Sequence, residues 1–333
     1  MKIYFDEIIS KQQYFFDESD INVINKNLNN EFFNEEEKKD FNELLTKIDK
    51  KSLNNIQTNS PFYEEINPRL TFNKENMSKT DLGKLGVYLI NRSDIEVNFR
   101  DLNNVWHDKK YKNTWPVTID TLFFITELYK FLKNKNLDIK NILDLGCGSG
   151  FLGQHLSKIF TSSEITFADI NPNALKLSKV NNEINNFSSK FNYVETDSFS
   201  KIQGKFDLIV MNPPYIPHKP IDHLEKNSHN CYNGLDLLLN SLENFEDYLN
   251  KNGYLIFLYS DVGKNEVEQK LNGSSFNIIS KNSLEVPFRI EDILKDKSWM
   301  KKLIEINGLI HKKISKDNKY EFWHKLNLII IKK

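Results

Sequence analysis

An Asn-Pro-Pro-Tyr tetrapeptide, Asn212–Tyr215, directly follows the apolar run Phe206–Met211. Two consecutive prolines remove two backbone N–H donors and keep the chain extended, so the loop is predicted to be stiff, with its carbonyl groups in fixed directions. An Asn-Pro turn without any function is the plain alternative, because such turns also arise by chance. The position directly after a buried strand favours a loop that binds a ligand.

The predicted chemistry of this loop is the activation of a planar amino group. The nitrogen of a carboxamide or of adenine is a poor nucleophile, because its lone pair is delocalised. Hydrogen bonds from that group to the side-chain oxygen of Asn212 and the backbone oxygen of Pro213 would return electron density to the nitrogen, while Tyr215 stacks on the planar group. Asn212, Pro213 and Tyr215 are therefore the predicted catalytic residues, and with Pro214 they form the predicted substrate site.

A glycine-rich turn upstream is a candidate cofactor site. The apolar run Asn141–Leu145 leads into a turn with Gly146, Gly148 and Gly150, and a helix is predicted to begin near Phe151. Glycine lets the backbone turn tightly and approach a ligand, and the N–H groups at a helix N-terminus suit a carboxylate. A tight turn without a ligand is the alternative for this feature alone.

An acidic residue closes the next predicted strand. Asp169 follows Ile165–Ala168, and a carboxylate at this position can accept both hydroxyl groups of a ribose. Asp169 could instead cap the helix that is predicted to begin at Pro172, but Asn171 is better placed for that capping role. The sequence therefore favours ribose binding by Asp169.

A third acidic position lies in the segment Glu195–Phe199, after the next predicted strand. Asp197 could accept a hydrogen bond from an adenine amino group, with Ser198 beside it and Phe199 as an apolar wall. A loop without a ligand is the alternative, because acidic residues are common in loops. A redox dinucleotide would use the glycine turn and Asp169 equally well, and it is the Asn-Pro-Pro-Tyr loop that argues against one.

The C-terminal two thirds of the chain has the pattern of an α/β domain, which we predict over residues 114–333. Short apolar runs alternate with helical segments, which indicates parallel strands covered by helices. The last two runs have no evident crossover between them, so we predict a terminal antiparallel hairpin with a Lys-rich insertion at about 284–321. Trp299 lies in that insertion, which we expect to pack over one end of the sheet. The predicted strands are Asn141–Leu145, Ile165–Ala168, Phe206–Met211, Tyr254–Tyr259, Phe276–Ser280 and Leu326–Ile331.

Residues 1–113 differ from the rest of the chain. Asn-rich polar runs alternate with amphipathic segments such as Glu35–Lys51, whose apolar residues fall at helical spacing. We predict a small, mainly helical N-terminal domain that recognises the substrate. It carries 17 Lys and Arg against 20 Asp and Glu, a net charge of 17 − 20 = −3, which disfavours nucleic-acid binding by this part.

The composition narrows the class of protein further. The chain has 333 residues, of which 39% are hydrophobic, and a formal net charge of −1. Two cysteines are too few for a disulfide framework, and no cysteine or histidine has metal-ligand spacing, so no metal is predicted. No apolar run approaches the roughly 20 residues of a membrane span, so we expect a cytoplasmic protein without a membrane partner. The oligomeric state is left open.

Taken together, these motifs resemble the class I S-adenosylmethionine-dependent methyltransferases. The resemblance rests on Asp144 with the glycine turn, on Asp169, on Asp197 and on the Asn-Pro-Pro-Tyr loop. The continuation Ile216-Pro217 makes the loop most similar to the HemK/PrmC type, which methylates the glutamine side-chain amide of peptide-chain release factors. The similarity covers roughly residues 141–260, and the stretch 115–121, where this family has a Pro-rich segment with an acidic residue, matches only loosely.

This resemblance implies a fold, a cofactor and a set of roles. The fold is a Rossmann-like class I methyltransferase sheet, and the cofactor is S-adenosylmethionine. Asp144 and the glycine turn would hold its methionine moiety, Asp169 the ribose, and Asp197 with Ser198 the adenine. Asn212 would lie among the cofactor contacts as well as in the substrate site. The implied partner is a protein substrate such as a translation release factor.

Two other functions remain open at this point. An RNA or DNA adenine amino-group methyltransferase would use the same loop on a flipped base, with the Lys-rich insertion as its basic surface. A solvated Lys-rich helix face is the plain reading of that insertion. A methyltransferase fold kept as a non-catalytic binding module is the third possibility, and the intact glycine turn and Asn-Pro-Pro-Tyr loop argue against it.

Overall fold

A computed structural model of the chain describes residues 13–14, 56–57, 88–90, 97–99, 119–132, 135–185, 187–217, 234–272, 276–288, 297–306, 308–313 and 322–333. Most of the predicted N-terminal domain, including the helix predicted at 35–51, lies outside these ranges. The parts of it that are described form two antiparallel pairs of short strands, which the sequence did not predict. They are β1 (Gln13–Tyr14) with β2 (Ile56–Gln57) and β3 (Tyr88–Ile90) with β4 (Val97–Phe99).

The described residues from 119 onward form an eight-stranded sheet flanked by helices. The strands lie in the order β10-β12-β9-β8-β5-β6-β7, and β11 pairs with β12. No helix in the described ranges combines the length and apolar character needed to cross a membrane. The elements, in chain order, are α1 (Ile119–Leu132), β5 (Asn141–Leu145), α2 (Phe151–Ile159), β6 (Glu164–Asp169), α3 (Pro172–Asn185), β7 (Lys190–Glu195), β8 (Phe206–Met211), α4 (Asp236–Tyr248), β9 (Leu249–Ser260), α5 (Lys264–Asn272), β10 (Asn277–Pro287), α6 (Lys297–Glu305), β11 (Leu309–His311) and β12 (Phe322–Lys332).

The parallel part of the sheet brings the predicted site residues to one edge. β5 pairs in parallel with β6 on one side and with β8 on the other, and β9 continues the parallel arrangement beyond β8. Leu145, the last residue of β5, is opposite Ala168 of β6, and Asp144 is opposite Val210 of β8. The turns that follow these three strands therefore meet at the carboxyl edge of the sheet.

The predicted antiparallel hairpin at the C-terminus is confirmed, because β12 lies between β9 and β10 and is antiparallel to both. The predicted start of the insertion at 284 is wrong, since β10 continues to Pro287. Leu284 and Val286 are buried while Glu285 between them is exposed, which is the two-residue period of a strand with one covered face. The insertion between the hairpin strands, hereafter the insertion, therefore comprises residues 288–321.

Among the described residues, three apolar clusters hold these layers together. Successive residues of a strand point to opposite faces of the sheet, so neighbouring positions enter different clusters. The first cluster, on one face, includes Ile142, Leu208, Ile256 and Leu328. The second, on the other face, includes Leu143, Ile209, Leu255 and Ile329. The third, at one end of the sheet, consists of Ile216, Val262, Phe288, Trp299 and Leu303, which confirms the packing predicted for the insertion.

Candidate active site

The glycine turn after β5 is fixed to the end of β6. The backbone N–H groups of Gly146 and Cys147 donate to the Ala168 carbonyl oxygen over 2.8 and 3.0 Å. Gly146, Gly148 and Gly150 have φ angles of 69°, 53° and 84°, in the left-handed region that favours glycine. The conformation of the turn therefore depends on positive φ angles at three positions, and glycine occupies all three.

Polar side chains of α2 and α3 support the turn from behind. The Ser149 carbonyl oxygen accepts hydrogen bonds from Gln154 Nε2 at 3.2 Å and from Asn181 Nδ2 at 3.0 Å, and both side chains are fully buried. A Cβ atom on Gly150 would lie 2.4 Å from Ser178 Oγ, which is closer than two such atoms can approach. The turn therefore lies directly against α3.

Asp144 lies beneath this turn and anchors the helix that follows it. Its side chain is 1% exposed, and Oδ2 accepts a hydrogen bond from the Gly153 N–H at 2.8 Å. Burial raises the pKa of Asp144 to about 8, although the Gly153 N–H lowers it and the nearby charge of Asp169 raises it further. The structure therefore gives Asp144 a structural contact, with the first turn of α2, that the sequence did not predict.

Asp169 connects the end of β6 to the glycine turn. Its Oδ2 accepts from the Gly148 N–H at 2.9 Å and its Oδ1 from the Asn171 N–H at 2.8 Å. Burial raises the pKa of Asp169 to about 6, while the N–H groups of Asn171 and Gly148 act to lower it. The cap of α3 is Asn171, whose Oδ1 accepts from the Asn173 N–H at 3.0 Å, so the capping alternative for Asp169 does not apply.

The segment after β7 presents Asp197 and turns Phe199 inward. Asp197 is exposed, whereas Ser198 is buried with a φ of 49° and donates from Oγ to Asn240 Oδ1 at 3.0 Å. Phe199 stacks on Tyr248 with 4.3 Å between ring centroids and belongs to the second apolar cluster. The expectation that Phe199 forms an apolar wall for a ligand is therefore wrong, since its ring faces the core.

Asn212 lies at the end of β8 with its amide group held in one orientation. Its Nδ2 donates to Asp120 Oδ2 and to Thr121 Oγ1, each at 3.2 Å, which uses both amide hydrogens. A carboxylate only accepts, so the atom that faces Asp120 must be the nitrogen. Asn212 Oδ1 consequently points away from Asp120, and this buried oxygen has no hydrogen-bond partner among the residues that the structure describes.

Tyr215 is held at both its hydroxyl group and its ring. The hydroxyl donates to Asp120 Oδ2 at 3.3 Å, the same oxygen that accepts from Asn212. The half-buried ring packs against all three apolar clusters, and the next residue, Ile216, is fully buried. Pro213 is buried and Pro214 half-buried between Asn212 and Tyr215.

Asp120 and Thr121 are functional candidates that the sequence did not single out. They occupy the first turn of α1, more than 90 residues before Asn212, and the side chain of Asp120 is 3% exposed. The signal was an acidic residue and a threonine at the start of a mostly apolar helix that precedes β5. From the sequence, these two residues were noted only as part of residues 115–121, which match the Pro-rich segment of the methyltransferase family loosely.

Residues 124–257 match a protein-family model described as the methyltransferase small domain. A protein of Methanocaldococcus jannaschii named "Putative protein N5-glutamine methyltransferase" is 34% identical over 176 residues, which are 50% of this chain and 85% of that protein. This chain belongs to the HemK/PrmC-type class I methyltransferases. It is accordingly an S-adenosylmethionine-dependent N-methyltransferase.

Two further relatives bear on the substrate. A release factor glutamine methyltransferase of Fusobacterium nucleatum is 31% identical over 175 residues, 48% of this chain and 48% of that protein. A ribosomal RNA small subunit methyltransferase C of Haemophilus influenzae is 34% identical over 130 residues, 37% of this chain and 38% of that protein. The chain thus spans less than half the length of these two relatives.

The described residues fit an S-adenosylmethionine site. A glycine turn with left-handed φ angles and a carboxylate at the end of β6 stand at the same edge of the sheet. Burial raises the pKa of the Cys147 thiol well above its usual value, which disfavours the thiolate that a nucleophilic cysteine requires. No group of three His, Cys, Asp or Glu side chains in the described ranges could hold a metal ion, and His218, His223 and His229 lie outside those ranges.

We predict that Asp144→Asn changes how stability depends on pH. Between about pH 4 and pH 8 the folded state keeps a proton on Asp144 that the unfolded state has released, so this group lowers the free energy of unfolding as pH rises, by about 1.4 kcal/mol per pH unit at most. Asparagine has no such proton. Urea unfolding of cofactor-free protein should therefore show the variant gaining stability relative to the parent from about pH 5 to pH 8. Parallel pH dependence of the Asp144→Asn variant and the parent protein would contradict the raised pKa.

We predict that Asp120→Asn slows methyl transfer without weakening cofactor binding. An amide at position 120 can donate as well as accept, so Asn212 is free to rotate its amide and turn Oδ1 away from the substrate side. A misplaced catalytic group costs about a hundredfold in rate. Single-turnover transfer of labelled methyl groups and calorimetry of cofactor binding would measure the two effects. An unchanged rate, or an equal loss of cofactor affinity, would exclude the orienting role.

Proposed function

We propose that this enzyme methylates the side-chain amide nitrogen of a glutamine in a protein, and that the protein is a translation release factor. The observation that carries the proposal is Asn212 Oδ1, a buried hydrogen-bond acceptor that Asp120 and Thr121 orient and that no described residue uses. A buried acceptor without a partner costs free energy, so its retention suits a donor that arrives with the substrate. The similarity to two relatives named for glutamine methylation supports the choice of acceptor.

The amide of a glutamine matches the donors that such a loop needs. Its NH₂ group is planar and has two hydrogens, one for Asn212 Oδ1 and one for the Pro213 carbonyl oxygen. Both hydrogen bonds strengthen as the nitrogen gains positive character during attack, so they favour the transition state over the ground state. The ring of Tyr215, fixed by Asp120 and the apolar clusters, stacks on the planar group and sets its position.

No strong base is required among these residues. Asn212 and Pro213 contribute only neutral oxygens, which orient the nitrogen and polarise its N–H bonds. S-adenosylmethionine, when bound, supplies an electrophilic methyl group. The substrate nitrogen becomes acidic once it has been alkylated, so its proton leaves readily to solvent after transfer. Rate enhancement then comes from orientation and from fixed dipoles.

The proposal assigns the cofactor to the residues that flank the glycine turn. Asp144, Gly146, Gly148 and Gly150 would hold the methionine moiety, and Asp169 would accept the ribose hydroxyls. Asp197 and Ser198 would lie at the adenine, and Asn212 would contact both the cofactor and the substrate. We further propose that residues 114–333 form the catalytic domain, that residues 1–113 recognise the substrate, and that the enzyme works in the cytoplasm.

We predict that Asn212→Ala and Asp169→Ala affect different steps. Loss of the Asn212 acceptor should reduce methyl transfer by about a hundredfold or more while cofactor affinity survives. Loss of the Asp169 carboxylate should weaken cofactor binding by roughly ten- to hundredfold, as expected for hydrogen bonds to a charged group. Calorimetry and transfer assays on both variants would test this division, with Asn272→Ala at the exposed end of α5 as the control. A collapse of cofactor affinity in Asn212→Ala would contradict it.

The substrate class is tested by labelled methyl transfer into extracts of a strain that lacks the enzyme. We expect label in protein, and, after digestion and mass spectrometry, on a glutamine of a release factor. Label confined to RNA or DNA would overturn the proposal in favour of a base amino group as acceptor. Label on a glutamine of another protein would retain the chemistry and refute the choice of release factor.

A further inference from the structure

The insertion between β10 and β12 is packed onto the loop after β8. This loop contains Asn212, Pro213 and Tyr215, which form the proposed acceptor site. Trp299 and Leu303 of α6 are 3% and 0% exposed, and they share the third apolar cluster with Ile216, the residue after Tyr215. Val262, from the turn that follows β9, and Phe288 complete this cluster. The insertion therefore has a small core of its own, and the loop after β8 contributes to it.

Gly308 shows how closely the insertion is seated. A Cβ atom at this position would lie 2.3 Å from the Cα of Val262 and 2.7 Å from its backbone nitrogen, distances that no side chain tolerates. The backbone of the insertion thus lies directly on the backbone of Val262. The part of the insertion that the structure describes is therefore packed into the fold around the site.

The two faces of α6 have different surroundings. Trp299 and Leu303 point into the third cluster, whereas Ile304 is 49% exposed and the side chains of Lys301 and Glu305 are 79% and 63% exposed. The described contacts of the helix with the acceptor loop therefore come from its inner face. Residues on its outer face, such as Ile304, can therefore be substituted as controls that leave those contacts intact.

Tyr215 is supported at its hydroxyl group by Asp120 and at its ring by all three apolar clusters, of which the third includes residues of the insertion. None of the residues at the glycine turn, and neither Asp169 nor Asp197, belongs to this cluster. Movement of α6 would consequently change the position of the Tyr215 ring while the predicted cofactor contacts keep theirs.

We infer that the insertion is a positioning element of the acceptor site, in which Trp299 and Leu303 hold Ile216 and, through it, the ring of Tyr215. The insertion thereby determines how a planar acceptor group fits between Tyr215 and the Asn212 oxygen. This inference rests on the proposed function for its substrate. Trp299 is a positioning residue, since it acts through Ile216 and Tyr215.

The test compares Trp299→Ala with Trp299→Phe and with Ile304→Ala on the outer face of the same helix. Three quantities are measured: kcat and KM for glutamine methylation, the Kd for S-adenosylmethionine, and hydrogen exchange at the Tyr215 and Ile216 N–H groups. Trp299→Ala should lower kcat by about tenfold or more and speed exchange at both groups, with cofactor Kd unchanged. Trp299→Phe should restore most of the rate, and Ile304→Ala should resemble the parent protein.

Several outcomes would overturn the inference. A Trp299→Ala variant that melts at a lower temperature but keeps kcat and exchange at Tyr215 would show a purely structural role. A rise in KM for Ile304→Ala alone would show that the helix docks the partner instead. If Trp299→Ala does not fold, Gly308→Ala tests the same packing, because the added Cβ atom would displace the insertion from Val262. Exchange and cofactor binding need no substrate, so they remain decisive even if the parent enzyme fails to methylate any glutamine.

Discussion

A single buried carboxylate organises the acceptor site. Oδ2 of Asp120 accepts from both the Asn212 amide and the Tyr215 hydroxyl, and it thereby joins the first turn of α1 to the loop after β8. Because a carboxylate cannot donate, this contact also decides which way the Asn212 amide faces. Without it, the stiff backbone of the two prolines would still fix the carbonyl groups, but the side-chain oxygen would have no preferred direction.

The sheet could be predicted from sequence because its central strands have both faces covered. The runs at β5, β6 and β8 are mostly apolar, the glycine turn follows β5, and Asp169 ends β6, at the spacing of βα units. The role of Asp120 could not be predicted in this way. Its partners lie more than 90 residues away, and a carboxylate in the first turn of a helix is ordinary on helix-dipole grounds alone.

Two incorrect predictions, the role of Phe199 and the start of the insertion, have a common cause. Phe199 follows polar residues in a loop, so nothing local indicated that its ring would stack on Tyr248 in the core. Leu284–Pro287 was assigned to the insertion, yet it continues β10, because β12 offers partners along the whole segment. In both cases a contact with a distant part of the chain determines the local structure. Local sequence patterns do not show which distant residues make such a contact.

The strand order divides the site between two parts of the chain. After β5 the chain builds outward through β6 and β7, then returns to place β8 on the opposite side of β5. Apart from Asn212, the predicted cofactor residues lie between β5 and the segment after β7. The loop after β8 and the elements that support it follow the return of the chain, and Asp120 contacts this loop from α1. Mutations after β8 can therefore change the proposed substrate site without changing the proposed cofactor residues that follow β5, β6 and β7. The same catalytic fold could then acquire new substrates through mutations in one half of its sheet.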